Sequence, residues 1–98
     1  MKSLLIATLS LIVVQPVFAA IPMLNYDCPM NIQVHSDEGG PVYINGQEAR
    51  LKVVNDNYYE AKGSGVTISI SINPDGTASV SYTGKKGANG ICQPAEGD

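Results

Sequence analysis

Residues 66–82 read VTISISINPDGTASVSY. Ile68, Ile70 and Ile72 alternate with Thr67, Ser69 and Ser71, and after a turn Ala78, Val80 and Tyr82 alternate with Ser79 and Ser81. A period of two marks strands with one buried face. Asn73-Pro74-Asp75-Gly76 suits a type I turn, with Pro at the second place and Gly in the left-handed position. Together these make a hairpin with a three-residue loop and a glycine bulge. Asn73 then faces Thr77, and Ile72, Ile70 and Ile68 meet Ala78, Val80 and Tyr82. On the other face Ser71 meets Ser79, Ser69 meets Ser81 and Thr67 meets Thr83. A loop one residue longer would set Ile72 against Thr77 and mix the faces, which burial forbids.

Strand signals continue outward from this hairpin, separated by Gly, Pro, Asn and Asp. Asn31 to Ser36 alternates with Ile32 and Val34 on one face, and Asp37-Glu38-Gly39-Gly40 breaks it. Pro41 to Ile44 is a short strand that ends at Asn45-Gly46, the strongest two-residue hairpin signal. Glu48 to Val54 follows, with Ala49, Leu51 and Val53 facing one way and Arg50 and Lys52 the other. Asn55-Asp56-Asn57 is a turn cluster, and Tyr58 to Lys62 reads as extended. Lys85 to Gly90 is a loop and Ile91 to Gln93 a last short strand. Short strands at this spacing describe an antiparallel sandwich or barrel.

The chain has 98 residues. Residues 1–19 read as a secretory signal peptide: Met1-Lys2-Ser3, an apolar run from Leu4 to Val14, and Val17-Phe18-Ala19 before the cut. The run is shorter than the roughly 20 residues of a membrane span. The expected product is a soluble protein of the bacterial periplasm, one domain over 20–93 and a flexible tail over 94–98. A domain this small needs a staple. The two cysteines, Cys28 and Cys92, supply one as a disulfide in an oxidising compartment. Removing Lys2 leaves five basic against nine acidic residues, a net charge of −4. No basic patch exists to neutralise phosphates, so nucleic acid is not an expected partner, whereas a basic protein is.

The sequence holds little that could do chemistry. His35 is the only histidine, and its alternation with Ile32 and Val34 points it outward. No second histidine or free cysteine exists to build a zinc site. Asp75-Gly76 sits in a weak calcium-loop pattern, but the place of the closing glutamate falls at Tyr82. Asp37 and Glu38 are adjacent and point apart. No serine stands in a nucleophile elbow. A non-enzyme without cofactor is expected. Tyr58-Tyr59 follows a turn, and tyrosine is favoured at binding surfaces; the alternation places one of the pair inside and one outside.

Tyr26-Asp27-Cys28, the apolar hairpin from Val42 to Leu51, Asp56 to Tyr59, Asp75 to Val80 and Asn89-Gly90-Ile91-Cys92 share one layout. That layout resembles the periplasmic and membrane-bound inhibitors of c-type lysozyme over nearly the whole exported domain. The resemblance implies a small antiparallel β-barrel of about seven or eight short strands, closed by one disulfide, with a loop that enters the lysozyme cleft. It carries over Tyr59, or else Tyr58, as a candidate contact; docking to a partner's cleft would use Asp56, Asn57, Tyr58 or Tyr59. Two motifs differ: the family's Ser-Gly before its tyrosine is Val54-Asn55-Asp56-Asn57 here, and its Lys-Gly turn is Pro74-Asp75-Gly76. Two functions stand side by side at this point. One is docking to a cell-wall-active enzyme such as c-type lysozyme. The other is a non-inhibitory envelope interaction or small-ligand binding, through the hydroxyl face or the barrel mouth.

Overall fold

A computed structural model describes residues 21–95. The expected signal peptide and its cut lie outside the described residues, as do residues 96–98 of the expected tail. The elements in chain order are β1 (Leu24–Cys28), β2 (Ile32–Ser36), β3 (Val42–Ile44), β4 (Gln47–Glu48), β5 (Arg50–Asn55), β6 (Tyr58–Gly63), β7 (Val66–Ile72), β8 (Ala78–Thr83), β9 (Asn89–Ile91) and β10 (Gln93–Pro94). Two single-turn 3₁₀ segments, Pro29–Asn31 and Lys85–Gly87, join β1 to β2 and β8 to β9. Among the described residues no helix is long and apolar enough to cross a membrane.

The β7–β8 hairpin has the register its side chains demand. Ile72 pairs with Ala78, Ile70 with Val80 and Ile68 with Tyr82, while Ser71 pairs with Ser79 and Ser69 with Ser81. Gly76 N donates to Asn73 O at 2.8 Å, and Asn73 N to Thr77 O at 2.7 Å. Gly76 sits at φ +89°, the left-handed place that closes the bulge. Asn45 and Gly46 both have positive φ, as a type I′ hairpin turn requires.

The strands form two antiparallel sheets, ordered β10-β1-β2-β3-β4 and β5-β6-β7-β8-β9. That gives ten short strands where seven or eight were expected, because two continuous stretches each bend from one sheet into the other. β4 passes into β5 through Ala49, whose N–H donates to Val42 O at 2.7 Å. β9 passes into β10 through Cys92, whose N–H donates to Val80 O at 2.8 Å. A strand serving both sheets must turn its edge at that point, and each bond is the last rung of one ladder before the strand changes partner. Inward faces of both sheets meet in one core of Leu24, Val34, Ile44, Ile68, Ile70 and Val80, with the Tyr59 and Tyr82 rings among them. Cys28 and Cys92 are bonded, tying the end of β1 to the β9–β10 corner.

Three local expectations change. β1 is a strand that the sequence reading left unassigned; Leu24 and Cys28 are buried, and Tyr26 packs against the core. Pro94 and Ala95 do not begin a tail, since Pro94 pairs with Tyr26 and Ala95 N donates to Asn25 O at 2.9 Å. Val53 is not covered. It pairs with Tyr59, but β5 is the outer strand of its sheet and shifts register between Val53 and Asn55. Val53 and Val54 therefore stand 56% and 46% exposed.

Candidate functional site

Strand direction alternates along both sheets, so every second connection lies at the same end. One end collects the 37–41 loop, the Asp56-Asn57 turn and the 74–76 turn. These carry Asp37, Glu38, Asp56 and Asp75 and no lysine or arginine. The opposite end collects the turns at 29–31, 45–46, 64–65 and 85–87, which carry Lys85 and Lys86 and no carboxylate. The charge of the turns is thus separated along the strands.

The β5–β6 hairpin tip is the most developed feature of the acidic end. Asp56 and Asn57 are exposed and form its turn. Asn57 N donates to Asn55 Oδ1 at 2.8 Å, and Asn57 O accepts from Ile72 N at 2.8 Å. The tip is therefore tied to the end of β7 and does not project as a free loop. Tyr58 and Tyr59 part company as alternation requires. Tyr58 is half-buried on the outer face beside Ser71, its hydroxyl donating to Glu60 Oε2 at 3.2 Å. Tyr59 is 1% exposed and belongs to the core, its hydroxyl donating to Asp56 O at 3.3 Å. Burial raises the Tyr59 hydroxyl pKa above its ordinary value, and the Asp56 carboxylate raises it further. Of the four candidate contacts, Asp56, Asn57 and Tyr58 are accessible, while Tyr59 holds the tip from beneath.

Val53 and Val54 complete this surface and were not foreseen. The doublet breaks the alternation of Leu51 and Val53 with Arg50 and Lys52, and a broken period at the end of a strand is the signal of a bulge. Met23, ahead of β1, is 65% exposed at the same end. The neighbouring turns are equally ordered. Asp75 Oδ1 accepts from Thr77 Oγ1 at 2.6 Å and Thr77 N at 3.0 Å. These bonds favour the charged carboxylate and lower its pKa.

His35 lies on the outer face of β2, as its alternation requires. Its Nδ1 is 2.7 Å from Asn25 Oδ1, its Nε2 is 2.9 Å from Asp37 Oδ1, and its ring stacks on Tyr43 at 6.0 Å. Both ring nitrogens are engaged by side chains of the chain itself. The contact with Asp37 fastens the 37–41 loop to the sheet. Among the described residues no three His, Cys, Asp or Glu side chains gather to hold a metal ion.

The hydroxyl face of β7–β8 borders a groove of about 390 Å³, lined by Ser69, Ser71, Ser79 and Ser81 with Tyr26 and Ile91. It opens where β9 leaves β8 for β1; the Tyr26 hydroxyl crosses the gap to Ala78 O at 3.2 Å. No protein-family model, curated protein or solved structure matches the chain.

Proposed function

We propose that the protein is an exported, non-enzymatic binding module of the periplasm that docks a basic protein with its acidic end. The partner class is a cell-wall-active enzyme of the c-type lysozyme kind, as for the inhibitors this chain resembles. The observation that carries the reading is the coincidence of charge and apolar exposure at that end. Asp37, Glu38, Asp56 and Asp75 occupy three turns that carry no lysine or arginine, and the exposed Val53 and Val54 stand beside the Asp56 turn. Carboxylates of one sign speed encounter with a cationic surface, and desolvated apolar anchors slow its release. We also read the two sheets as a single closed barrel, β4–β5 and β9–β10 each counting as one bent strand among eight.

The direct test is a cell-wall lysis assay with c-type lysozyme and the exported chain, alongside the charge reversal Asp56→Lys. Inhibition that weakens in the variant, most at low salt, is the expected result. Lysis unchanged at micromolar excess of the protein sinks the lysozyme assignment.

A second reading, a small-ligand module of the envelope, is favoured by the serine-lined groove beside Ile91. Its hydroxyls and uncharged walls match a neutral polar ligand. Under that reading Ser71→Asp, rather than Asp56→Lys, removes the activity.

A further inference from the structure

The lysine-bearing end contains a groove of about 410 Å³, a volume within the ordinary range of small-molecule sites. Its walls are Met30, Ile32, Val66, Tyr82 and Ala88, and Lys85 stands among them. No carboxylate lines it. The apolar atoms converge closely. A Cβ placed on Gly84 would lie 3.7 Å from each of Ala88 Cβ, Tyr82 Cε2 and Val66 Cγ1. Lys85 Cε would lie 3.7 Å from a Cβ on Gly65, so the lysine stem runs along the β6–β7 turn beside this floor. Met30 is 78% exposed, at a backbone φ of 69° where glycine or asparagine would be at ease. A methionine held there presents a flexible apolar wall to whatever fills the groove.

We propose that this groove binds an anionic amphiphile, with one acyl chain against Met30, Val66, Tyr82 and Ala88 and its charged head on Lys85. Charge complementarity selects that ligand. The chain as a whole is acidic, at −3, so general attraction of anions does not account for it. An apolar trough with a single kind of cation at hand and no acid in its lining accepts methylenes and one negative group. It disfavours a cationic head, which would stand against Lys85. The site lies at the end opposite the acidic turns and does not rest on docking to a basic enzyme.

The test uses sodium decanoate as free monomer, added to the exported chain and followed by amide chemical shifts. Saturable shifts at Met30, Val66, Lys85 and Ala88 are expected, with affinity rising up to about fourfold per added methylene from octanoate to decanoate. Nonyltrimethylammonium, whose alkyl chain equals that of decanoate, should bind about tenfold more weakly. Lys85→Glu should remove that preference for the anion. Met30→Asp, at an exposed site whose left-handed backbone Asp tolerates, should weaken both ligands without unfolding the protein. Vesicles of phosphatidylglycerol distinguish the source. Retention on vesicles that Met30→Asp abolishes assigns a bilayer lipid, and decanoate binding without retention assigns a free acid. Absence of localised shifts at millimolar decanoate together with no retention overturns the proposal, as does equal binding of the cationic amphiphile.

Discussion

Replacing Tyr59 by phenylalanine, and separately by alanine, divides a core role from a contact role. The ring is 1% exposed, and its hydroxyl makes one neutral bond, to Asp56 O at 3.3 Å. Tyr59→Phe keeps the ring and deletes that bond. A neutral hydrogen bond contributes about 0.5–1.5 kcal/mol net, and the long distance puts this one near the lower figure. The Asp56 carbonyl belongs to an exposed turn and regains water, so no orphaned acceptor adds to the loss. About 0.5 kcal/mol on a domain this size lowers the melting temperature by roughly 2–4 °C. Tyr59→Ala removes the ring from the packed core and costs about 3–5 kcal/mol, a fall of at least about 12 °C.

The same pair of proteins carries a pH signature. The folded Tyr59 hydroxyl has its pKa raised, first by burial and then by Asp56. Above about pH 10 the unfolded chain releases this proton before the folded one does. The stabilisation is therefore complete below that pH and is lost as pH rises through the folded value. Tyr59→Phe lacks this group, so its stability should fall less steeply than that of the parent chain above pH 10. Thermal melts by circular dichroism at neutral and alkaline pH, with partner binding measured well below either melting point, decide the matter. If Tyr59→Phe lost partner binding while its melting temperature moved by under about 4 °C, the hydroxyl would be a contact. The assignment of Tyr59 to the core would then be wrong.

Two further outcomes follow from the frame. Cys28→Ser with Cys92→Ser opens a loop of 64 residues; chain entropy puts the loss near 4 kcal/mol, on the order of 20 °C in melting temperature. A fall below about 8 °C in the same melts would refute that account. Gly90→Ala should cost about 1–3 kcal/mol by denaturant unfolding. Its Cβ would stand 2.8 Å from Tyr82 Cε1 and 2.9 Å from Pro29 Cγ. Gly84→Ala, whose neighbours are 3.7 Å away, is the control and should change stability by less than about 1 kcal/mol.

Legibility in the sequence followed the strength of the local period. Residues 66–82 specify their own register because the apolar face, the hydroxyl face and the turn chemistry all agree, and the β7–β8 pairing matches it from Thr67–Thr83 to Ile72–Ala78. β1 escaped notice because Leu24, Tyr26 and Cys28 are separated by Asn25 and Asp27 in a stretch bounded by prolines, with no β-branched residue in it. The corners at Ala49 and Cys92 leave no mark in hydropathy, since a bend between sheets changes the partner of a strand and not its period. Tyr58 and Tyr59 could be divided into one inside and one outside, but choosing between them needs the register of β6 against β7, which only long-range pairing supplies. Val53 misled for the opposite reason. Its phase is right for burial, yet burial also needs a neighbour, and β5 has none beyond β6.

The acidic end gains its value from being held still. A carboxylate on a mobile loop contributes to steering but must be ordered on docking, and that ordering opposes affinity. Here each acidic turn has its own internal tie. Gly40 N donates to Asp37 O at 2.8 Å, while Asp37 is also within 2.9 Å of His35 Nε2. Asn57 is bonded both to Asn55 and to Ile72, and Asp75 is gripped by Thr77. The bond to Ile72 also ties the β5–β6 tip to the end of β7, and the spacing among the three turns is set by the sheets. The disulfide acts from the other end, where Cys28 closes β1 onto the β9–β10 corner. A frame stapled at one end and self-capped at the other presents its carboxylates in one arrangement before any partner arrives. Under the proposed docking, that arrangement is what would let a tip without the inhibitor family's Ser-Gly serve as a docking surface, with Val53 and Val54 as its apolar centre.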